Sequence, residues 1–302
     1  MTKGLASAPG RRLGWRLERW LPRIVVAPSF AASLIFVYGF IAWTVYISFT
    51  ASGVLPRYGF EGLVQYERLW STPRWYVALS NLFIFGTLFI LGSVVIGAVL
   101  AILLDQRIRI EGVIRTIYLY PMALSFIVTG TAWKWILNPG LGIEKLVRDW
   151  GVSEFRFDWL VDRDMAIYTV VIAAIWQSSG YVMALFLAGL RSVDDELIKA
   201  AAIDGAGPLR TYVGVVLPML RPVLLSALVV LAHLAIKSFD LVVALTGGGP
   251  GYSTDLPATF MYALAFQRSE LGTAAASAVM MLVTVLAIMV PYLYSELREQ
   301  RR

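Results

Sequence analysis

His233, Lys237 and Asp240 follow one another at i, i+4 and i+7 inside a stretch that is otherwise apolar from Pro222 to about Leu245. On a helix that spacing gathers all three on one face. Counting about 1.5 Å per residue from Pro222, they lie about 16, 22 and 27 Å along the helix. Ionisable groups inside a span are costly, about 2.5 to 3.5 kcal/mol for Lys or Asp at a helix centre on insertion scales, and normally face a cavity or a partner. Two chemistries fit: the polar wall of a solute cavity, or a proton relay. Lys237 and Asp240 can also simply pair near an interface, and a neutral His233 can be satisfied by a backbone carbonyl. A second set, Gln177, Ser178 and Tyr181, sits amid apolar residues at i, i+1 and i+4, with Trp176, Ser179 and Gly180 beside it. Amide, hydroxyl and aromatic groups together suit a sugar, whose hydroxyls need hydrogen bonds and whose C–H faces need rings. Small residues such as Ser and Gly equally serve helix packing.

Other chemistries are poorly supplied. The chain has no Cys and one His, which removes thiolate metal sites, disulfides and cysteine nucleophiles and disfavours a His-rich metal centre or a Ser/His hydrolase, so neither a cofactor nor an intramembrane enzyme is expected. The glycines from Gly247 to Gly251 have no following Lys-Ser/Thr and do not form a phosphate-binding loop, and no nucleotide-binding signature occurs elsewhere.

The elements that must position these residues are membrane helices. Of 302 residues, 58% are hydrophobic and only 15% charged, against about 25% charged in ordinary soluble domains. With 10 Trp, 14 Tyr and 15 Phe, disorder is excluded. Stretches of about 20 apolar residues, the length needed to cross a core of about 30 Å, predict six spans near 25–49, 81–104, 117–137, 167–190, 220–244 and 272–294. They form an all-α, polytopic transmembrane domain over 24–295, flanked by a basic segment, 1–23, and a short tail, 296–302. The first stretch is too long for the apolar core of a signal peptide and reads as a retained helix. With the N-terminus inside, Lys and Arg number 16 in the inner segments and 9 in the outer ones, which places both termini in the cytoplasm. Arg11, Arg12, Arg16, Arg19 and Arg23 flank a span and contact lipid head groups rather than nucleic acid. The outer segment 144–164 carries Trp150 and Trp159, suited to an interfacial anchor or to docking of an external partner. Lys134, between Trp133 and Trp135, reads as a further anchor.

Between the fourth and fifth spans the chain spends about thirty residues, Arg191 to Arg221, where a turn would suffice. Ser192 and Asp195 have the spacing of a capping box, Leu197 to Ile203 favours helix, Gly205 and Gly207 interrupt it, and Pro208 opens a second helix through Val216. Ala200, Ala201, Ala202 and Ala206 leave backbone open to the close approach of another protein. The alternative, an amphipathic helix lying flat on lipid, fits poorly with four acids against four bases.

This loop resembles the cytoplasmic EAA loop of binding-protein-dependent ABC transporter permeases. Lys199-Ala200-Ala201, Gly205 within Asp204-Gly205-Ala206, Val215 and Leu217-Pro218 stand at the family spacing, with Lys199 where the pattern has Glu. Phe239-Asp240, Leu245-Thr246-Gly247-Gly248-Gly249-Pro250, Ser253-Thr254, Phe266 and Leu271-Gly272 are similar to the fifth-to-sixth span region of the carbohydrate permeases of maltose and glycerol-phosphate type. The resemblance implies the type I ABC importer permease fold in a bacterial cytoplasmic (inner) membrane. It also implies a second homologous permease, a separate pair of ATPase subunits, an extracytoplasmic solute-binding protein and a sugar as cargo. Asp195, Ile203 and the residues of the motif would then couple to the ATPase, without the ion pair that a Glu at position 199 would make. Ser238 would join Gln177, Ser178 and Tyr181 in the binding cavity. A self-sufficient proton-coupled transporter using His233, Lys237 and Asp240, and an ABC permease for another solute, remain the alternatives.

Overall fold

The computed structural model describes residues 22, 23, 25–106 and 108–299. The basic segment expected over 1–23 lies almost wholly outside the described residues, as does the end of the tail. Thirteen helices can be followed in order: α1 Val25–Ile47, α2 Val64–Trp70, α3 Pro73–Asp105, α4 Glu111–Ala123, α5 Phe126–Ile136, α6 Ile143–Asp149, α7 Ala166–Leu190, α8 Asp195–Ile203, α9 Pro208–Thr211, α10 Arg221–Ile236, α11 Asp240–Leu245, α12 Pro257–Tyr262 and α13 Leu271–Glu299. Among the described residues the sole β-pairing is an isolated bridge between Thr50 and Phe60.

Four helices, α1, α3, α7 and α13, are long and apolar enough to cross a membrane, and six spans result when the two bent pairs each count as one. The third span is not the straight helix that its hydropathy predicts: α4 and α5 meet at an angle of 102°. Pro121 weakens the end of α4, and Ser125 then starts a new helix by accepting a hydrogen bond from the Ile127 amide. The fifth span is also broken. A 60° bend separates α10 from the helical turns over Tyr212–Met219, and α10 stops at Ile236, three residues before α11 begins.

The centre is α7. In its most apolar window 67% of residues are buried, against 28% in α3 and α13 and none in α1, so α7 is wrapped by the other helices while α1 stands at the edge. Close packing depends on small residues. A Cβ added to Gly97 of α3 would lie 2.6 Å from Val182 Cβ of α7, and one on Gly130 of α5 would lie 2.7 Å from Ala244 Cβ of α11. Phe85, Phe89, Met183, Phe186 and Leu231 fill the shared core. At 33 residues α3 is about 50 Å long, more than a bilayer core, and so reaches both ends of the bundle.

Candidate functional site

At one end of the bundle, residues 191–221 build two short helices around a sharp turn. Asp194, rather than the expected Ser192, caps α8: its carboxylate accepts from the Glu196 amide at 2.9 Å, while the Ser192 hydroxyl donates to the Gly189 carbonyl. A carboxylate two residues closer to the helix captures the free amide, and its charge suits the positive end of the helix. The helix carries Asp195 at its start, then Lys199, Ala200 and Ala201, and ends at Ile203; Asp204 is its C-cap. Gly205 follows at φ +77°, a left-handed conformation that ends the helix at little cost only with glycine. Pro208 opens α9 as expected, but the continuation is a π turn over Tyr212–Val216 rather than regular α-helix, and Leu217-Pro218 lies in the last short turn before the bend.

The unit presents apolar surface. Ile203 is 86% exposed, and Leu197 and Ile198 are also exposed. It is tied to the spans behind it. The Tyr212 hydroxyl donates to Asp105 Oδ2 at the end of α3, and burial, followed by the Asp105 charge, raises the phenol's pKa above its ordinary value. Arg191, at the end of α7, donates to Glu111 at the start of α4 at 2.7 Å.

The second region surrounds the bend between α4 and α5. Gln177 is buried, its Nε2 donates to the Leu124 carbonyl at 2.9 Å, and its Oε1 has no partner. Ser178 is buried and Tyr181 half-buried. Gly180 admits the backbone of α4: a Cβ there would collide with the Tyr118 carbonyl oxygen. A cavity of about 640 Å³ opens beside this junction, within the size range of small-ligand pockets. It is lined by Tyr118, Tyr120 and Pro121 of α4, Trp133 of α5, and Trp176 and Ser179 of α7. Thus α7 lines it with Ile172, Ile175, Trp176 and Ser179, the last two being neighbours of the predicted Gln177, Ser178 and Tyr181, none of which line it. Sequence spacing finds the right turn of helix but not which side of it faces the space.

His233, Lys237 and Asp240 are exposed on the single chain and Ser238 is half-buried. They do not share one continuous helical face, because α10 ends at Ile236 and Phe239, at φ −122° and ψ −59°, interrupts the helix before Asp240. Lys237 and Asp240 form no ion pair within 4 Å. Among the described residues no cluster of His, Asp and Glu is placed to hold a metal ion.

The architecture is that of a multi-pass helical membrane protein with a pair of short helices at one end, the class to which solute permeases belong. Residues 93–299 match the binding-protein-dependent transport system inner membrane component family, and the chain belongs to that family. It is 41% identical to a probable ABC transporter permease protein of Pyrococcus horikoshii over 93% of this chain and 98% of the relative. It is 38% identical to the xylose/arabinose import permease protein XacH of Haloferax volcanii, over 99% and 97%. The fold matches a chain of a bacterial ABC transporter that imports the acidic polysaccharide alginate, with a TM-score of 0.81 at 20% identity over 95% of this chain and 99% of that one.

Proposed function

We propose that the chain is the membrane-spanning subunit of an ATP-driven importer that translocates a sugar handed over by an extracytoplasmic binding protein. It works beside a second, homologous permease and two separate ATPase subunits, with both termini and the 191–221 loop in the cytoplasm. The observation that carries this reading is the loop itself: a capped helix, a left-handed Gly205 and a second helix, with Ile203 projecting from it.

Its ties say how force would pass. Movement of the docked loop pulls on α3 through Tyr212 and Asp105, and the adjoining Arg191–Glu111 pair joins the ends of α7 and α4. These helices flank the aromatic cavity, so displacement at the ATPase changes the packing around it. ATP shifts this equilibrium only by binding one state of the assembly more tightly than the other. The import of xylose and arabinose by the Haloferax relative supports a carbohydrate cargo. Tyr118, Tyr120, Trp133 and Trp176 offer rings for its C–H faces, with the Ser179 hydroxyl as a polar partner. Ser178, Tyr181, His233, Lys237, Ser238 and Asp240 complete the path where the second permease closes over it.

Reconstitution in proteoliposomes with the sister permease, the ATPase and the binding protein tests the reading. Labelled xylose, arabinose, maltose and trehalose are offered with and without internal ATP. Uptake of at least one sugar that requires both ATP and the ATPase is expected. Uptake by this chain alone, driven by a proton gradient, would overturn it.

A further inference from the structure

A cavity of about 240 Å³ lies at the end of the bundle opposite the 191–221 loop, between the start of α3, the glycine-rich turn after α11, and α12. Its frame is fixed by an ion pair between Arg74 and Asp255, residues 181 positions apart whose side chains are 14% and 2% exposed. Asn81 donates to the Ser253 and Asp255 carbonyls at 3.0 and 2.9 Å, and the Thr259 hydroxyl donates to Asp255 Oδ1 at 2.7 Å. The Arg74 guanidinium lies 4.0 Å from the centre of the Tyr252 ring. Gly248, at φ +88°, brings the turn so near that a Cβ there would lie 3.4 Å from Asp255 Oδ1. Against this frame, Tyr262 packs on Phe239 at 4.9 Å between ring centroids, and Gln267 and Arg268 are exposed at the rim.

The aromatic cavity beside α7 is walled mostly by apolar groups, whereas this one combines rings with planar polar groups held in place by buried contacts. Rings and a fixed guanidinium–carboxylate pair, with the Gln267 amide at the rim, around a space this small are chemistry suited to one sugar ring. The buried pair is internally neutral, so a neutral sugar suffices. We propose that this cavity is an outer sugar subsite, separate from the cavity at the α4–α5 bend, where one ring of the cargo rests before it enters the membrane. A transport path needs stations that bind strongly enough to fill and weakly enough to empty, and a shallow site at the mouth meets both demands. The inference rests on the carbohydrate reading above.

The test uses the assembled transporter in nanodiscs without binding protein, with maltose and D-xylose as probes in saturation-transfer NMR. Saturable transfer from at least one probe is expected in the native assembly. Tyr262→Ala and Gln267→Ala should each weaken it about tenfold, a loss of about 1.4 kcal/mol. Gln267 is exposed, so that variant keeps the test sound should Tyr262→Ala misfold. Unchanged affinity in the Gln267 variant and in a folded Tyr262 variant, or no saturable transfer from either probe, would overturn the subsite. ATP-dependent sugar uptake by the native assembly separates the two readings: if it persists, only the subsite fails, and if it is absent for every sugar tried, the carbohydrate reading fails with it.

Discussion

Gln177 of α7 donates its side-chain amide to the carbonyl of Leu124, the residue at which α4 gives way to α5 and the span turns through 102°. A bend of that size frees backbone carbonyls that a straight helix would satisfy, and away from water each needs another donor. Gln177 therefore holds the bend that walls the aromatic cavity without lining that cavity itself. Replacing it with Leu leaves a partly buried carbonyl unpaired, a cost of about 1 kcal/mol or more. The Gln177→Leu permease should denature several degrees lower in detergent and still co-purify with the ATPase. An unchanged midpoint would show that the bend does not need this bond.

Gly180 makes the same junction from the other direction. A Cβ there meets backbone, the Tyr118 carbonyl, which cannot rotate away as a flexible side chain can. Overpacking costs about 1 to 3 kcal/mol even in yielding cores, so Gly180→Ala should exceed that range. Gly39 of α1 has nothing within 4 Å of its Cβ direction and serves as the control. The yield of monodisperse protein in detergent should collapse for Gly180→Ala and hold for Gly39→Ala.

These residues show how far the sequence could be read. The Gly205–Pro208 punctuation was legible because glycine admits a left-handed turn and proline fixes its own φ, and the observed turn stands where they do. The 102° bend was not, because Ala123-Leu124-Ser125-Phe126 continues the apolar run and hydropathy does not record direction. Pro121 and the capping Ser125 were its only signals. The helix start at Asp194 was missed by two residues because Ser192 has the better-known spacing, whereas the chain uses whichever side chain reaches a free amide. The His233, Lys237 and Asp240 alignment assumed an unbroken helix, and no Pro or Gly between Ile236 and Asp240 marks the interruption. In the sequence Trp176 already offers its ring to a sugar, but that it and Ser179 face a cavity while Gln177, Ser178 and Tyr181 do not depends on which helix packs opposite.

Docking of the loop should fail by two independent routes. Asp194→Ala removes the cap of α8, worth about 0.5 to 2 kcal/mol to the helix. Gly205→Val places a β-branched side chain at φ +77°. Both should lower co-purification with the ATPase, Gly205→Val more severely, while sugar binding in nanodiscs without nucleotide is retained. Full ATPase recovery with the Gly205 variant would show that the turn geometry is not what the ATPase holds.

Arg74 and Asp255 join the start of α3 to the segment before α12, and only a double-variant cycle can apportion what they contribute. Arg74→Met strands a carboxylate that is 2% exposed and still bonded to Thr259, and the loss of one partner from such a buried pair costs about 3 to 5 kcal/mol. Asp255→Leu strands the guanidinium, but less severely, because Arg74 is partly exposed and retains the Tyr252 ring at 4.0 Å. Removing both charges leaves neither stranded, so the combined variant should be more stable than Arg74→Met alone. Thermal denaturation of the three variants in detergent gives the coupling. If the double variant loses as much as the sum of the singles, the two charges act independently and the ion pair is not what fastens the outer turn to α3.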